Sequence, residues 1–232
     1  MVSADTRGGE GTRSYVSRLR REQAAATRQR VVTAAAELFA ERGYAGTTLP
    51  AIGRRAGVST ETVQSHGPKV QLLRAAIDAV AFGAGPGAPV AETELGARLV
   101  AGVTAVEATA AAAEVLAAVN ERAHGVWMAF SEASRTDPGL AEELRRLTGE
   151  ITDQTRVTLQ HWRPSGWLRE DVGAEELVRR AVAIGSVELW DRCVRVEGHS
   201  REHYRELVAG LLLASLTTAG TGADEFDAPA GS

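Results

Sequence analysis

The chain has 232 residues, 44% of them apolar and 24% charged, which is enough for a sizeable core and ordinary for a globular protein. No apolar run reaches the roughly 20 residues that span a bilayer as a helix, and Cys193 is the single cysteine, so an intramolecular disulfide is excluded. Net charge is −4, but it is divided: residues 1–83 hold 12 basic and 7 acidic side chains, a balance of +5, against −9 for residues 84–232. A basic N-terminal third on an acidic body fits one nucleic-acid-facing part carried by a region that DNA repels. Only seven prolines occur, and Ala-, Leu-, Val-, Glu- and Arg-rich segments recur without alternating strand runs, so the expected fold class is all-α. The polar N-terminus lacks an apolar signal core and the lone cysteine suits a reducing compartment, so a cytoplasmic protein without a membrane partner is expected.

Residues 1–22, rich in Gly, Ser, Thr and Arg, read as a flexible arm whose Arg13, Arg18, Arg20 and Arg21 suit a DNA backbone or minor groove. A first helix is expected from about residue 23 or 27 to 42, burying Val31, Val32, Ala35, Leu38 and Phe39. Gly43 ends it and Tyr44 packs back on the core. Thr48 then reads as an N-cap, with Pro50 in the first turn where a missing N–H costs nothing. Leu49, Ile52 and Ala56 share one face, and Gly57 supplies the left-handed residue that ends the helix. Ser59 caps a further short helix over residues 60–66, with Glu61 near its positive end. Gly53, small, allows the two to approach closely. Two short helices joined by a glycine turn form a helix-turn-helix, whose second helix enters the major groove. Another helix is expected over 69–82, followed by the Gly- and Pro-rich break at 83–89, a boundary and hinge.

Residues 27–73 resemble the DNA-binding domain of the TetR family of transcriptional repressors. The resemblance is carried by Arg30, Ala34-Ala35, Leu38-Phe39-Ala40-Glu41-Arg42-Gly43-Tyr44, Thr47-Thr48, Ile52, Arg55-Ala56-Gly57-Val58-Ser59, Val63, His66, Lys69 and Leu72-Leu73. It implies an N-terminal three-helix DNA-binding domain over 23–83, an effector-binding and dimerisation domain over 90–218, and a loose tail over 219–232. It also implies a homodimer on operator DNA, released by a small molecule. Arg54 and Arg55 are then expected to reach phosphates. Thr60, Glu61, Thr62, Gln64 and Ser65 are expected to read bases from the helix that Ser59 caps, with Thr48 at the start of the preceding one. Gln suits adenine in bidentate fashion, and Glu suits a cytosine amino group. His66 reads first as a packed residue between helices. Lys69, the single lysine of the chain, is expected to clamp a phosphate. The chain departs from the family's pattern at the end of this helix. Gln64 stands where the family has a phosphate-binding Tyr, the usual Phe is missing, and Gly67-Pro68 makes the link to Lys69 one residue shorter.

Beyond residue 90, helices are expected over 92–109, 111–135, 137–163, 174–196 and 201–218. The resemblance implies that the last two pair with their copies across a two-fold axis, through Val178, Val182, Ile184, Val187, Leu207, Leu211 and Leu212. All four tryptophans lie in this part. His124, Trp127, Met128, Phe130, Trp162 and Trp190 are the candidates to line an effector cavity, for a largely apolar or aromatic molecule, against the alternative of plain core packing. An enzyme is disfavoured. Glu121 and His124 form one Glu-x-x-His step where a di-iron bundle needs two, and Cys193 with His199 lacks further zinc ligands. No phosphate loop or nucleophile elbow occurs, so no cofactor and no metal are expected. The sequence reads as a ligand-responsive repressor. The alternative is a helical dimer with degenerate DNA readout that acts through protein contacts.

Overall fold

The computed structural model describes residues 8–82 and 104–218, and among them nine α-helices: α1 Gly8–Gly46, α2 Leu49–Ala56, α3 Thr60–Ser65, α4 Lys69–Phe82, α5 Ala105–Ser134, α6 Pro138–Trp162, α7 Ala174–Ile184, α8 Val187–Trp190 and α9 Arg201–Leu216. The described residues contain no strand, only one isolated antiparallel bridge between Leu168 and Thr217. The break at 83–89, the start of the helix expected at 92 and the tail at 219–232 lie outside the described residues.

Three expectations change. The first helix begins at Gly8, so residues 8–22 continue α1 and do not form a separate arm. Residues 18–26, Arg-Leu-Arg-Arg-Glu-Gln-Ala-Ala-Ala, are strong helix formers, and the chain has no proline before Pro50 to stop them. α1 is interrupted only at Gly43, with φ at 69°. The break expected near residue 110 is absent. α5 starts at a capping box, where Thr104 accepts from the Glu107 N–H at 3.2 Å and Glu107 returns the bond to the Thr104 N–H at 3.1 Å. The helix expected over 174–196 is divided at Gly185–Ser186, since Ser186 caps α8 by accepting from the Leu189 N–H at 3.3 Å. α8 then widens into a π-helical stretch, Asp191–Val196.

The helices close around two cores. In the first, Val31, Leu38 and Phe39 of α1, Ile52 of α2, Val63 of α3 and Leu72 and Leu73 of α4 pack with Val126 and Phe130 of α5 and Leu140 and Leu147 of α6. α1 to α4 therefore share one core with half of α5 and half of α6. The second core joins the N-terminal half of α5 to Leu159 and Trp162 of α6, Leu177 and Val178 of α7, Trp190 and Cys193, and Tyr204, Val208 and Leu212 of α9.

α5 runs through both cores and is fastened on two sides. Towards α8 it presents Asn120, His124 and Trp127, one helix stripe. Asn120 donates to Gly185 O at 3.1 Å and to the Tyr204 hydroxyl at 2.9 Å, with Ser186 O further off at 3.4 Å. His124 lies 2.7 Å from Asp191, and the Trp127 indole donates to Glu188 at 2.9 Å. Burial pushes the Tyr204 phenol up to about 12, which keeps it neutral at any physiological pH. Towards α4, Arg122 donates to Val80 O at 3.0 Å and Ala81 O at 2.7 Å, closing the C-terminal carbonyls of that helix. A Cβ on Gly125, one turn later, would stand 2.7 Å from the Ala40 methyl of α1.

Candidate nucleic-acid interface

The two short helices are fixed by their own caps. Thr48 accepts from the Ala51 N–H at 3.3 Å and Ser59 from the Thr62 N–H at 3.1 Å. Gly57 takes φ 67° at the turn between them. The turn is as tight as the small residue at 53 suggests: the Val58 N–H donates to Gly53 O at 3.0 Å, and a Cβ on Gly53 would meet Val58 O at 3.0 Å. Val63 is fully buried beneath α3, so that helix is held by one apolar side chain and offers its opposite face outward.

That outward face carries Glu61, Gln64 and Ser65, all exposed, with Thr60 and Thr62 half-buried beside them. Their hydrogen bonds separate their roles. The hydroxyls of Thr48 and Ser59 are spent on caps, and Ser65 donates to Thr62 O at 2.8 Å. The Glu61 carboxyl is held below the usual carboxylate range by its own backbone N–H and then by the Ser59 hydroxyl, so it is ionised. Among the described residues the Gln64 amide has no partner in the chain and stands exposed, with both donors and its acceptor open. His66 ends α3 as its C-cap, and its Nε2 is buried without a hydrogen-bond partner, the packed placement expected of it.

Two basic residues are placed differently from the sequence reading. Arg55 turns back onto α1, where it bonds Glu37 at 2.8 Å and Glu41 at 2.9 Å. The pair holds the Glu41 carboxyl below its ordinary range. Two carboxylates answer this guanidinium, so it ties α2 to α1, and a phosphate would have to compete with Glu37 and Glu41 for it. Lys69 donates to Thr47 O at 2.8 Å and lies 4.0 Å from the centre of the Tyr44 ring. Partial burial lowers the ammonium's pKa. Thr47, buried, has its hydroxyl 2.8 Å from Gly43 O and 2.9 Å from Leu38 O. Lys69 and Thr47 thus close the corner where α1, α2 and α4 meet, and Gly67, at φ 115°, turns the chain into α4 without the missing Phe. The sequence signal for Thr47 was its place in the family motif; its buried hydroxyl was not legible. Arg54 is exposed at the end of α2. Replacing Arg54 by alanine is expected to flatten the plot of log affinity against log salt by about one phosphate contact, roughly 0.9 in slope. Arg55→Ala is expected to leave that slope unchanged, and equal flattening by both would place Arg55 on a phosphate after all.

The effector candidates are not brought to one wall. Phe130 is buried in the first core, while Trp162 and Trp190 are buried in the second. His124 and Trp127 are bonded to Asp191 and Glu188, and Met128 is 36% exposed. The reason is geometric: consecutive helical residues are turned by about 100°, so Trp127, Met128 and Phe130 radiate from α5. The expected dimer seam is also thinned. Val178, Val187 and Leu212 are buried within the chain, Val182 and Ile184 pack partly against the second core, and Leu207 and Leu211 remain 37% exposed.

Residues 31–76, α1 to α4, match the family model described as bacterial regulatory proteins of the tetR family. No curated protein matches the chain. Among solved structures, a TetR-family regulator from Rhodococcus sp. is 18% identical with a TM-score of 0.67, over 83% of this chain and all of that one. A TetR transcriptional regulator from Chloroflexus aurantiacus is 25% identical with a TM-score of 0.61, over 84% of this chain and 98% of that one. SmeT in complex with triclosan is 24% identical with a TM-score of 0.64, over 84% and 93%. The capped helix pair, its glycine turn and the family match fall on the same residues, so residues 31–76 match the tetR family of bacterial regulatory proteins, and the fold of the chain is similar to that of solved TetR-family regulators.

Proposed function

We propose that the chain acts as a homodimeric repressor that grips a near-palindromic operator through α2 and α3 and is released by a small, largely apolar effector. The observation that carries the reading is the α3 surface: Val63 buried below, Glu61 and Gln64 exposed above, and both neighbouring helix ends capped. Gln64 is the main base reader, because its amide has no partner in the chain among the described residues while the hydroxyls around it are engaged. The dimer seam lies on the exposed face of α9, where Leu207, Gly210, Leu211 and Ala214 share one stripe. A two-fold dimer sets the two α3 helices roughly one DNA turn apart, about 34–36 Å or a multiple. SmeT, bound to triclosan, supports an apolar aromatic effector. Release needs only that the effector prefer a second arrangement, with a coupling of about 1–3 kcal/mol. Arg122 and Gly125 supply the contact through which a moved body would shift α4 and α1.

Selection from a randomised duplex library at two salt concentrations tests the reading. A palindrome with steep salt dependence is expected, and Gln64→Ala is expected to relax preference at one base pair per half-site. α3 carries no Lys or Arg, which favours the second reading, a dimer acting through protein contacts. Salt-dependent binding without any motif, or no binding, would decide for it.

A further inference from the structure

The C-terminal end of α6, the turn over 163–173 and the first turn of α7 enclose a cleft of about 440 Å³, apart from the α3 surface and the α9 seam. That volume is within the ordinary range for small-molecule sites, roughly 300–1,000 Å³. Its floor is apolar: Leu159, Leu177 and Val178 are buried, with Leu168 and Val172 packed beside them. Its rim is charged, and most of the charge is cancelled locally. Arg156 is paired with Glu175 at 2.9 Å, and Arg169 with Asp171. Arg163 also lines the cleft and makes no ion pair among the described residues. Glu170 lines it too, as an exposed carboxylate, so with Asp171 the rim sets three guanidinium groups against three carboxylates, and Arg163 and Glu170 are the members without an ion pair among the described residues. α7 opens into the cleft at Gly173, which contributes no capping side chain to the first-turn N–H groups.

The geometry points to a binding site for an amphipathic carboxylate, its apolar chain along Leu159, Leu168, Val172 and Leu177 and its head on Arg163 beside the open α7 N-terminus. A cationic head seated on Arg163 would be repelled by its guanidinium, whereas one seated on Glu170 would be attracted, so the sign of the head group is part of the inference and the titration decides it. The turn that forms one wall is fastened to the end of α9: the Arg169 N–H donates to Leu216 O and the Thr218 N–H to Trp167 O, both at 3.0 Å. The other half of α6 carries Glu143 and Glu150, which hold Arg74 of α4. An occupant would therefore press on the proposed dimer helix and on the helix that anchors α4. This consequence rests on the repressor reading; binding itself does not.

Calorimetric titration of the full chain, without DNA, separates the two. Decanoate is expected to bind saturably with one site per chain, and decyltrimethylammonium at least about tenfold more weakly. Arg163→Ala, at an exposed position, is expected to weaken decanoate by about tenfold or more, the worth of one charge-assisted hydrogen bond. Val172→Trp, checked for an unchanged melting temperature, is expected to fill the cleft and abolish binding. No saturable heat, equal binding of both amphiphiles, or an Arg163→Ala variant that binds decanoate as before would overturn the site. Decanoate bound as expected but leaving operator affinity unchanged would keep the site and remove only its regulatory consequence.

Discussion

Asn120→Leu is expected to lower the melting temperature by roughly 6–12 °C, taking about 2–4 °C per kcal/mol for a chain of this size and a loss near 3 kcal/mol. The residue is 2% exposed in the second core, and its amide is the donor that serves the break between α7 and α8. Gly185 ends α7 and its carbonyl is served by Asn120, whereas Ser186 O already accepts from the Trp190 N–H at 3.4 Å within α8. Leucine keeps the branched outline of the side chain, with somewhat more bulk, but has no donor. It would leave Gly185 O and the Tyr204 hydroxyl buried with lost bonds, and each such group costs about 1–3 kcal/mol. Tyr204→Phe removes only one end of the network and is expected to cost about 1 kcal/mol. The difference between the two variants measures what the α7–α8 break is worth. A shift below about 2 °C for Asn120→Leu would mean that water reaches the break and satisfies the carbonyls.

What was legible in the sequence was local. The caps at Thr48 and Ser59, the turn at Gly57 and the inward Val63 follow from residues one to four positions apart, and the structure forms each of them. What was not legible depends on partners far along the chain. Taken alone, Arg55 reads as a phosphate ligand, but Glu37 and Glu41 of α1, 18 and 14 residues earlier, compete for it. Lys69 looks like a clamp until its ammonium meets Thr47 O, 22 residues back. The effector candidates are dispersed for a related reason: aromatic content says that residues bury area, but not on which side of a helix they do so. The N-terminal segment misled by composition, where Gly, Ser and Thr suggested an arm although the residues over 18–26 are good helix formers. The break at Ser186 was readable, since Ser186-Val-Glu-Leu has a capping residue and an early acid, but a continuous apolar pattern across it hid the signal.

Gly125→Ala is expected to destabilise the chain by about 1–2 kcal/mol, although alanine is the better helix former by about 0.5–1 kcal/mol. The added methyl would stand 2.7 Å from Ala40 Cβ and 3.3 Å from Ala40 Cα, so α1 or α5 must give way. Both helices belong to the first core, which leaves them little room to shift without opening gaps. Ala40→Gly removes the opposing methyl. Alone it should cost about 1 kcal/mol through helix propensity. Together the two substitutions exchange one methyl for another across the same contact, so the double variant should be more stable than the sum of the single effects by about 1 kcal/mol or more. Strict additivity in thermal unfolding would mean that the helices part at this point at no cost. The same cycle read by operator binding carries the functional content. Arg122 holds the end of α4 one turn from Gly125, so displacement there moves α1 and α4 together and alters the reach of α3 from the dimer body. The single variant Gly125→Ala should therefore lose operator affinity and accept altered half-site spacing, and the double variant should recover both.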